Sequence, residues 1–189
     1  MQLKHWALAA ALLVVATLPV RAGDDILDAI DQGRKDYQAG NLSAAKQQID
    51  LASQLIGQKN AESFAKLLPA PLPGWKAEKA QTQAVGAALL GASAASRDYA
   101  NAKGENVNVS ITGDSAMVMQ FAPVLANPAM AAAMGKLVRI GALRGIQNGD
   151  GDVMLVVNNK FLVNVTGSAD AASKLAYAKA VDVAKLSKM

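Results

Sequence analysis

The chain contains no cysteine and one histidine, His5. The first absence excludes disulfides, thiolate nucleophiles and cysteine-held metals. The second matters because His5 stands in a leading segment with the pattern of an export signal. Once that segment is removed, no imidazole remains. The side chain that titrates nearest neutrality, and the commonest ligand for transition metals, is then missing. Aromatic residues are also scarce, at 4% of the chain, so the core must be largely aliphatic. The lysines are scattered, with no run of five or six like charges. Nucleic-acid binding therefore has little electrostatic support.

Residues 1–22 read as a secretory signal peptide. Lys4 and His5 supply a basic start, Trp6 to Leu18 an apolar stretch, and Pro19 a break. Val20-Arg21-Ala22 then places a β-branched residue at −3 and a small one at −1, so cleavage is expected after Ala22. The alternative, a membrane anchor, needs a longer apolar run to cross ~30 Å of hydrocarbon. A lipoprotein needs cysteine at the cleavage site. The expected product is soluble and exported, and the alanine-rich leader suits a bacterial periplasm. It keeps 167 of the 189 residues. Losing Lys4 and Arg21 leaves 17 basic against 15 acidic residues, a net charge of +2.

Residues 23–68 read as a helical hairpin. Ile26, Ile30, Gly33 and Tyr37 recur at helical spacing, and so do Leu42, Ala45, Ile49, Ala52 and Ile56. Asp24, Asp25 and Asp28 suit the positive end of the first helix dipole. Gly40-Asn41 marks a stop followed by a cap. Asn60 is expected to start a third short helix, Ala61 to Leu68. The hairpin resembles a single tetratricopeptide repeat in its small and apolar positions. Such a pair either packs on the rest of the chain or docks a peptide or partner. Residues 69–73 form a Pro-rich linker, because three prolines in five positions forbid helix.

Residues 74–189 read as an α+β sheet domain. A strand is expected at Trp75 to Ala80. The stretch from Ala80 to Ser96 is uncharged and gives no clear assignment until a strand entering near Ala92 and running through Tyr99. Val107, Val109 and Ile111 alternate with polar residues and pair with it as a hairpin. Asp114-Ser115 would cap a helix over 116–134, interrupted at Pro123 and Pro128. Strands follow at 136–142 and 143–148. Asp152 to Val157 is apolar throughout after its first residue, which predicts a central strand covered on both faces. Asn158-Asn159 suits a tight hairpin turn, and Phe161, Val163 and Val165 alternate in the returning strand. Ser168 is expected to cap a terminal helix, Ala169 to Leu186, with Ala172, Leu175, Val183 and Leu186 on its apolar side and Lys179 intruding. The order of elements predicts an antiparallel sheet packed with helices.

Leu68-Pro69 through Gly74-Trp75, Ser96-Arg97-Asp98-Tyr99, Leu155-Val156-Val157-Asn158-Asn159 and Phe161-Leu162-Val163 together resemble a family of uncharacterised exported proteobacterial proteins. In that family a helical N-terminus joins this kind of sheet. The strand order is also similar to the PsbP-like and DcrB-like α+β fold. That resemblance implies an accessory or binding role rather than an activity.

Individual chemical signals are weak. Ser43-Ala44-Ala45-Lys46 matches S-x-x-K, but the S-D-N and K-T-G partners are absent. Asn148-Gly149-Asp150-Gly151-Asp152 spaces oxygens like the start of a calcium loop. Val153 replaces the expected glycine and Asn159 the bidentate glutamate, so a Gly-Asp turn fits better. Glu78, Asp98 and Glu105 are not spaced as a hydrolytic pair.

Met117, Met119, Met130 and Met134 cluster in the uncharged stretch from Ser115 to Gly135. Thioethers suit Cu(I), yet more often fill apolar gaps or adaptable binding surfaces. The reading is thus a non-enzymatic periplasmic binding or accessory protein with no catalytic residue, metal or cofactor. Its partner would be an envelope protein or apolar ligand, met through Tyr37, Trp75, Met117, Met119, Phe121, Met130 and Met134. A Met-based copper binder and a cryptic envelope hydrolase are the alternatives. Intact mass of the protein recovered from the cell envelope tests the first step. The expected product begins after Ala22, and a product retaining His5 overturns the export reading.

Overall fold

Side chains alternate across a strand, so a strand with one apolar set of residues can bury only one face. Residues 106–113 and 153–157 form strands buried in that alternating way. A computed structural model describes residues 24–84, 92–113, 118–119, 123 and 127–189. Helices α1 (Asp25–Gln38) and α2 (Leu42–Ala65) come first, then β1 (Trp75–Ala77), β2 (Gln81–Ala84), β3 (Ser93–Asn101) and β4 (Asn106–Gly113). Helix α3 (Pro128–Met134) precedes β5 (Lys136–Ile140), β6 (Leu143–Gln147), β7 (Val153–Val157) and β8 (Phe161–Thr166). Helices α4 (Ala171–Ala180) and α5 (Val183–Leu186) close the chain. The strands form one sheet in the order β1-β3-β4-β8-β7-β6-β5. β1 and β2 pair with successive stretches of β3, and all pairings are antiparallel. The fold is α+β, a two-helix hairpin followed by an antiparallel sheet packed with further helices.

Register explains the core. Val109 faces Val165 across β4 and β8, and Val165 faces Val153 across β8 and β7. Ile111, Val163 and Leu155 form the next row in the same way. All six are at most 1% exposed. The end of α2 and the terminal helices cover this face with Phe64, Leu68, Tyr177, Ala178 and Leu186. Gly113 makes room for the cover. A Cβ there would lie 2.7 Å from Phe64 Cζ and 2.8 Å from a Phe161 ring carbon. The glycine lets those rings meet edge to face, with centroids 5.6 Å apart. Asn158 and Asn159 take φ of 51° and 54° in the β7–β8 turn, as a two-residue hairpin requires.

The proline stretch is bonded to the core. Tyr99 donates its hydroxyl to the Pro69 carbonyl at 2.6 Å, and Arg97 Nη1 donates to the same oxygen at 3.2 Å. The Leu72 amide donates to the Tyr177 hydroxyl at 3.2 Å. The two tyrosine rings lie 4.4 Å apart, and Trp75 meets Tyr177 edge-on at 5.5 Å.

Several local expectations are corrected. No third helix starts at Asn60, because α2 runs unbroken to Ala65. The Asn41 side chain makes no cap bond there. The terminal helix starts after Asp170, whose carboxylate accepts from the Ser173 amide at 2.7 Å. Ser168 exchanges hydrogen bonds with Asn106 instead, and extended backbone at Val181 ends α4. The face that α4 buries carries Lys174, Tyr177 and Ala178, while Ala172 and Lys179 are exposed. β7 is covered fully on one face only, since Met154 and Val156 stay half-buried. Of the helix expected over 116–134, α3 starts at Pro128. Asn127 caps it, accepting from the Ala129 amide at 3.0 Å. Residues 85–91 and most of 114–126 lie outside the described residues.

Burial pushes the Tyr99 hydroxyl up to about 12, with neighbouring Arg97 opposing part of the rise. The folded state therefore holds the phenol proton more tightly than the unfolded chain. Its contribution to stability is complete below pH 10 and is lost as pH rises towards 12, at up to about 1.4 kcal/mol per pH unit. Tyr99→Phe should cost about 1 kcal/mol at neutral pH through the lost hydrogen bond. It should also flatten the alkaline fall in stability. Burial raises Tyr177 as well, so some slope should remain. Urea unfolding of both proteins from about pH 8 to pH 11 checks this.

Candidate functional site: a cleft on the open face of the sheet

Residues one position out of phase with the core rows share the opposite face. Ser110 faces Asn164, Asn164 faces Met154, and Met154 faces Ile146. This row mixes small polar and flexible apolar side chains, so it neither builds a second core nor reads as a fully solvated surface. Helix α3 packs against β5 and β6 and brings Met134 over the row. The result is a cleft of about 320 Å³ lined by Met134, Ile146, Asn148, Asp152, Val153, Met154, Asn164 and Thr166. Apolar surface comes from Ile146 and the two methionines. The amides of Asn148 and Asn164 and the Thr166 hydroxyl offer neutral donors and acceptors.

One end of the cleft is the β6–β7 loop. The Asn148 amide donates to the Asp152 carbonyl at 3.0 Å, and the Asp152 amide donates to Asn148 Oδ1 at 2.8 Å. Lys174 enters from α4 with its side chain 3% exposed. Its Nζ donates at 2.7 Å both to the Asp150 carbonyl and to Asp152 Oδ1. Gln147 Nε2 ties the same loop to α4 through the Gly151 and Ala171 carbonyls. Of the side chains whose spacing resembled a calcium loop, Asp152 thus holds an internal ammonium and Asn148 a backbone amide of the loop. The pair is formally neutral, so the cleft wall presents a carboxylate already matched by a buried cation.

The site residues expected from sequence fall in different places. Met134 lines the cleft. Met119 and Met130 are 72% and 48% exposed and are not among the lining residues. Met117 and Phe121 lie outside the described residues. Tyr37 is 67% exposed on the hairpin, and Trp75 packs against Tyr177 at the core margin. Sequence reasoning missed Met154, Asn164, Thr166 and Lys174. The first was hidden in a continuous apolar strand. The lysine could have been found from its i, i+3, i+4 spacing with Tyr177 and Ala178.

The remaining chemical candidates are accounted for locally. Asp98 accepts from Asn108 Nδ2 at 2.8 Å, and Glu105 accepts from Asn101 Nδ2 at 2.6 Å. Lys46 pairs with Asp50 one turn along α2. Among the described residues, no group of three or more His, Cys, Asp or Glu is placed to hold a metal ion. No helix among them is long and apolar enough to cross a membrane.

The fold and cleft define a class: an α+β domain with an appended helical hairpin and an amphipathic cleft on its open sheet face. Comparison with protein-family models, curated proteins and solved structures gives no match.

The two halves of the ion pair differ in burial, and so should their substitutions. Asp152→Asn strips the counter-charge from a lysine that cannot reach water, and should cost about 3 kcal/mol or more. Lys174→Met leaves a carboxylate that is 29% exposed and can turn to solvent, so about 1–2 kcal/mol is expected. Urea denaturation of both variants measures the difference, and the reverse order would disprove this account of the loop.

Proposed function

We propose that the protein is an exported, periplasmic, non-enzymatic binding or accessory protein whose ligand site is the cleft between α3 and the open sheet face. The observation that carries this reading is the lining of that cleft. Its volume falls at the low end of small-ligand sites, which are mostly apolar with a few placed polar groups. Such a lining suits a small neutral amphiphile. Its apolar part would lie along Ile146, Met154 and Met134, and its hydrogen-bonding head would meet Asn148, Asn164 and Thr166. A charged head is disfavoured, because Lys174 already neutralises Asp152. The sequence supports the absence of chemistry: the chain beyond residue 22 lacks histidine and cysteine. The similarity of strand order to the PsbP-like and DcrB-like fold, whose members mostly have accessory or binding roles, points the same way.

Calorimetric titration with octanamide and octanol tests the site. Saturable binding is expected. Met154→Trp should fill the cleft and abolish it while thermal unfolding stays cooperative, whereas Met119→Ala should leave it intact. Absence of binding, or equal binding by the filled variant, overturns the proposal. Steady turnover lost on replacing one polar lining residue would overturn the non-enzymatic part alone.

A further inference from the structure

Leu27, Tyr37, Leu42 and Ile49 give the hairpin an exposed apolar face, but apolar contact is non-directional and selects no particular partner. Charge selects more sharply, and one place in the sheet concentrates it. From Ser115 to Gly149 the chain holds Lys136, Arg139 and Arg144 and no acidic residue. Val138 and Ile140 of β5 are buried in the core. Side chains alternate along a strand, so Leu137 and Arg139 stand on the open face and Lys136 on the other. Arg139 lies opposite Arg144 of β6, and Leu137 lies opposite Ile146.

The Gly141-Ala142 turn closes on Ile140 and Leu143. The next pair, Arg139 and Arg144, is therefore of the non-hydrogen-bonded kind, which brings side chains closest. Like charges directly opposite each other destabilise a sheet. Among the described residues, neither guanidinium is paired with a carboxylate. Arg139 Nε donates to the Gly141 carbonyl at 3.4 Å, which draws it over the turn. The two arginines line a pocket of about 310 Å³ with Leu137, Val138 and Ala142. It shares no lining residue with the cleft. An anion seated there would turn the repulsion into charge-assisted hydrogen bonds from both sides.

Charge and geometry name the anion. Arginine does not deprotonate in proteins, so the pair carries two positive charges. A phosphomonoester carries about −1.5 to −2 at neutral pH and offers three acceptor oxygens, enough for two guanidinium forks. A carboxylate matches one fork and one charge. We propose that Arg139 and Arg144 form a binding site for a phosphomonoester, with the phosphate between the two guanidinium groups and the attached carbon chain along Leu137 and Ala142. A soluble ester and a lipid headgroup share this chemistry.

Calorimetric titration of the protein as recovered from cells with butyl phosphate, at constant ionic strength, tests this. Saturable binding of one ester per chain is expected, with a dissociation constant of about 1 mM. Arg139→Gln and Arg144→Gln should each weaken it about tenfold or more. Thermal unfolding of both variants should be unchanged or shifted upward, because each relieves the repulsion. Lys136→Gln removes a charge from the same strand on the other face and should leave binding intact, as should the cleft-filling Met154→Trp. Butyrate should bind about tenfold more weakly. No carboxylate lines the pocket, so between pH 7.5 and pH 5 only the ester changes charge there, and its return to the monoanion should weaken binding about tenfold. The proposal is overturned by absence of saturable binding, by equal loss in Lys136→Gln or Met154→Trp, by butyrate binding as tightly, or by affinity that ignores this pH change. Co-sedimentation with phosphatidic acid vesicles separates the two sources. Retention that butyl phosphate displaces assigns a lipid headgroup, and butyl phosphate binding without retention assigns a soluble ester.

Discussion

Tyr99 and Tyr177 form the joint on which the arrangement depends. A buried phenol needs a hydrogen-bond partner, and the proline stretch needs partners for backbone groups that neither helix nor strand can pair. Each supplies what the other lacks: the Pro69 carbonyl accepts a hydrogen bond from the Tyr99 hydroxyl, and the Leu72 amide donates one to the Tyr177 hydroxyl. The stacked rings thereby bind β3, α4 and the chain leaving α2 at one point. That fixes where α2 ends, and with it the position of Phe64 over Gly113. In a chain without cysteine, this junction ties sequence-distant segments together without a covalent cross-link.

Covering only one side of the sheet has a chemical consequence. The rows through Val109, Val165 and Val153 use up the helices that could provide cover. The opposite rows must then be tolerable in partial contact with water, and the register of Ser110, Asn164 and Met154 meets that demand. α3 lies along the β5–β6 end, which encloses a cleft rather than completing a second core. Lys174 belongs to the same solution. Its stem runs from the covered side of the sheet, and its ammonium closes the β6–β7 loop beside the cleft. The loop is held by a charge that never reaches solvent, so the cleft keeps its shape without presenting a net charge.

Much of the fold is written locally. Val107, Val109 and Ile111, the Asn158-Asn159 turn and the alternation through Phe161, Val163 and Val165 each name a strand or turn from a few neighbours. The misjudged places are those where two local signals compete and a distant contact decides. Ser168 and Asp170 are both good caps, and Asn106, more than sixty residues earlier, claims Ser168. Asn60 is an acceptable cap, but α2 continues because Ala61 and Phe64 are needed on the sheet. The continuous apolar run of β7 says nothing of which face is covered. The site was less legible for the same reason. Met134 stands out by composition, but Asn164, Met154 and Ile146 become neighbours only through pairings across three strands.

The two exposed apolar surfaces differ in shape. The cleft is small, about 320 Å³, and sets amides and a hydroxyl beside apolar side chains, which suits a small molecule with one polar end. The hairpin face is long and regularly spaced. Filling one need not disturb the other, because the hairpin joins the sheet through the later turns of α2 while the cleft lies beside β6, β7 and β8. Any coupling between them must pass through the α2 exit and the tyrosine joint. That part of the molecule is among the most tightly packed, with Phe64, Tyr99 and Tyr177 each at most 1% exposed. A close-packed region transmits strain only by moving as a unit. Independent action of the two surfaces is therefore the arrangement this packing favours.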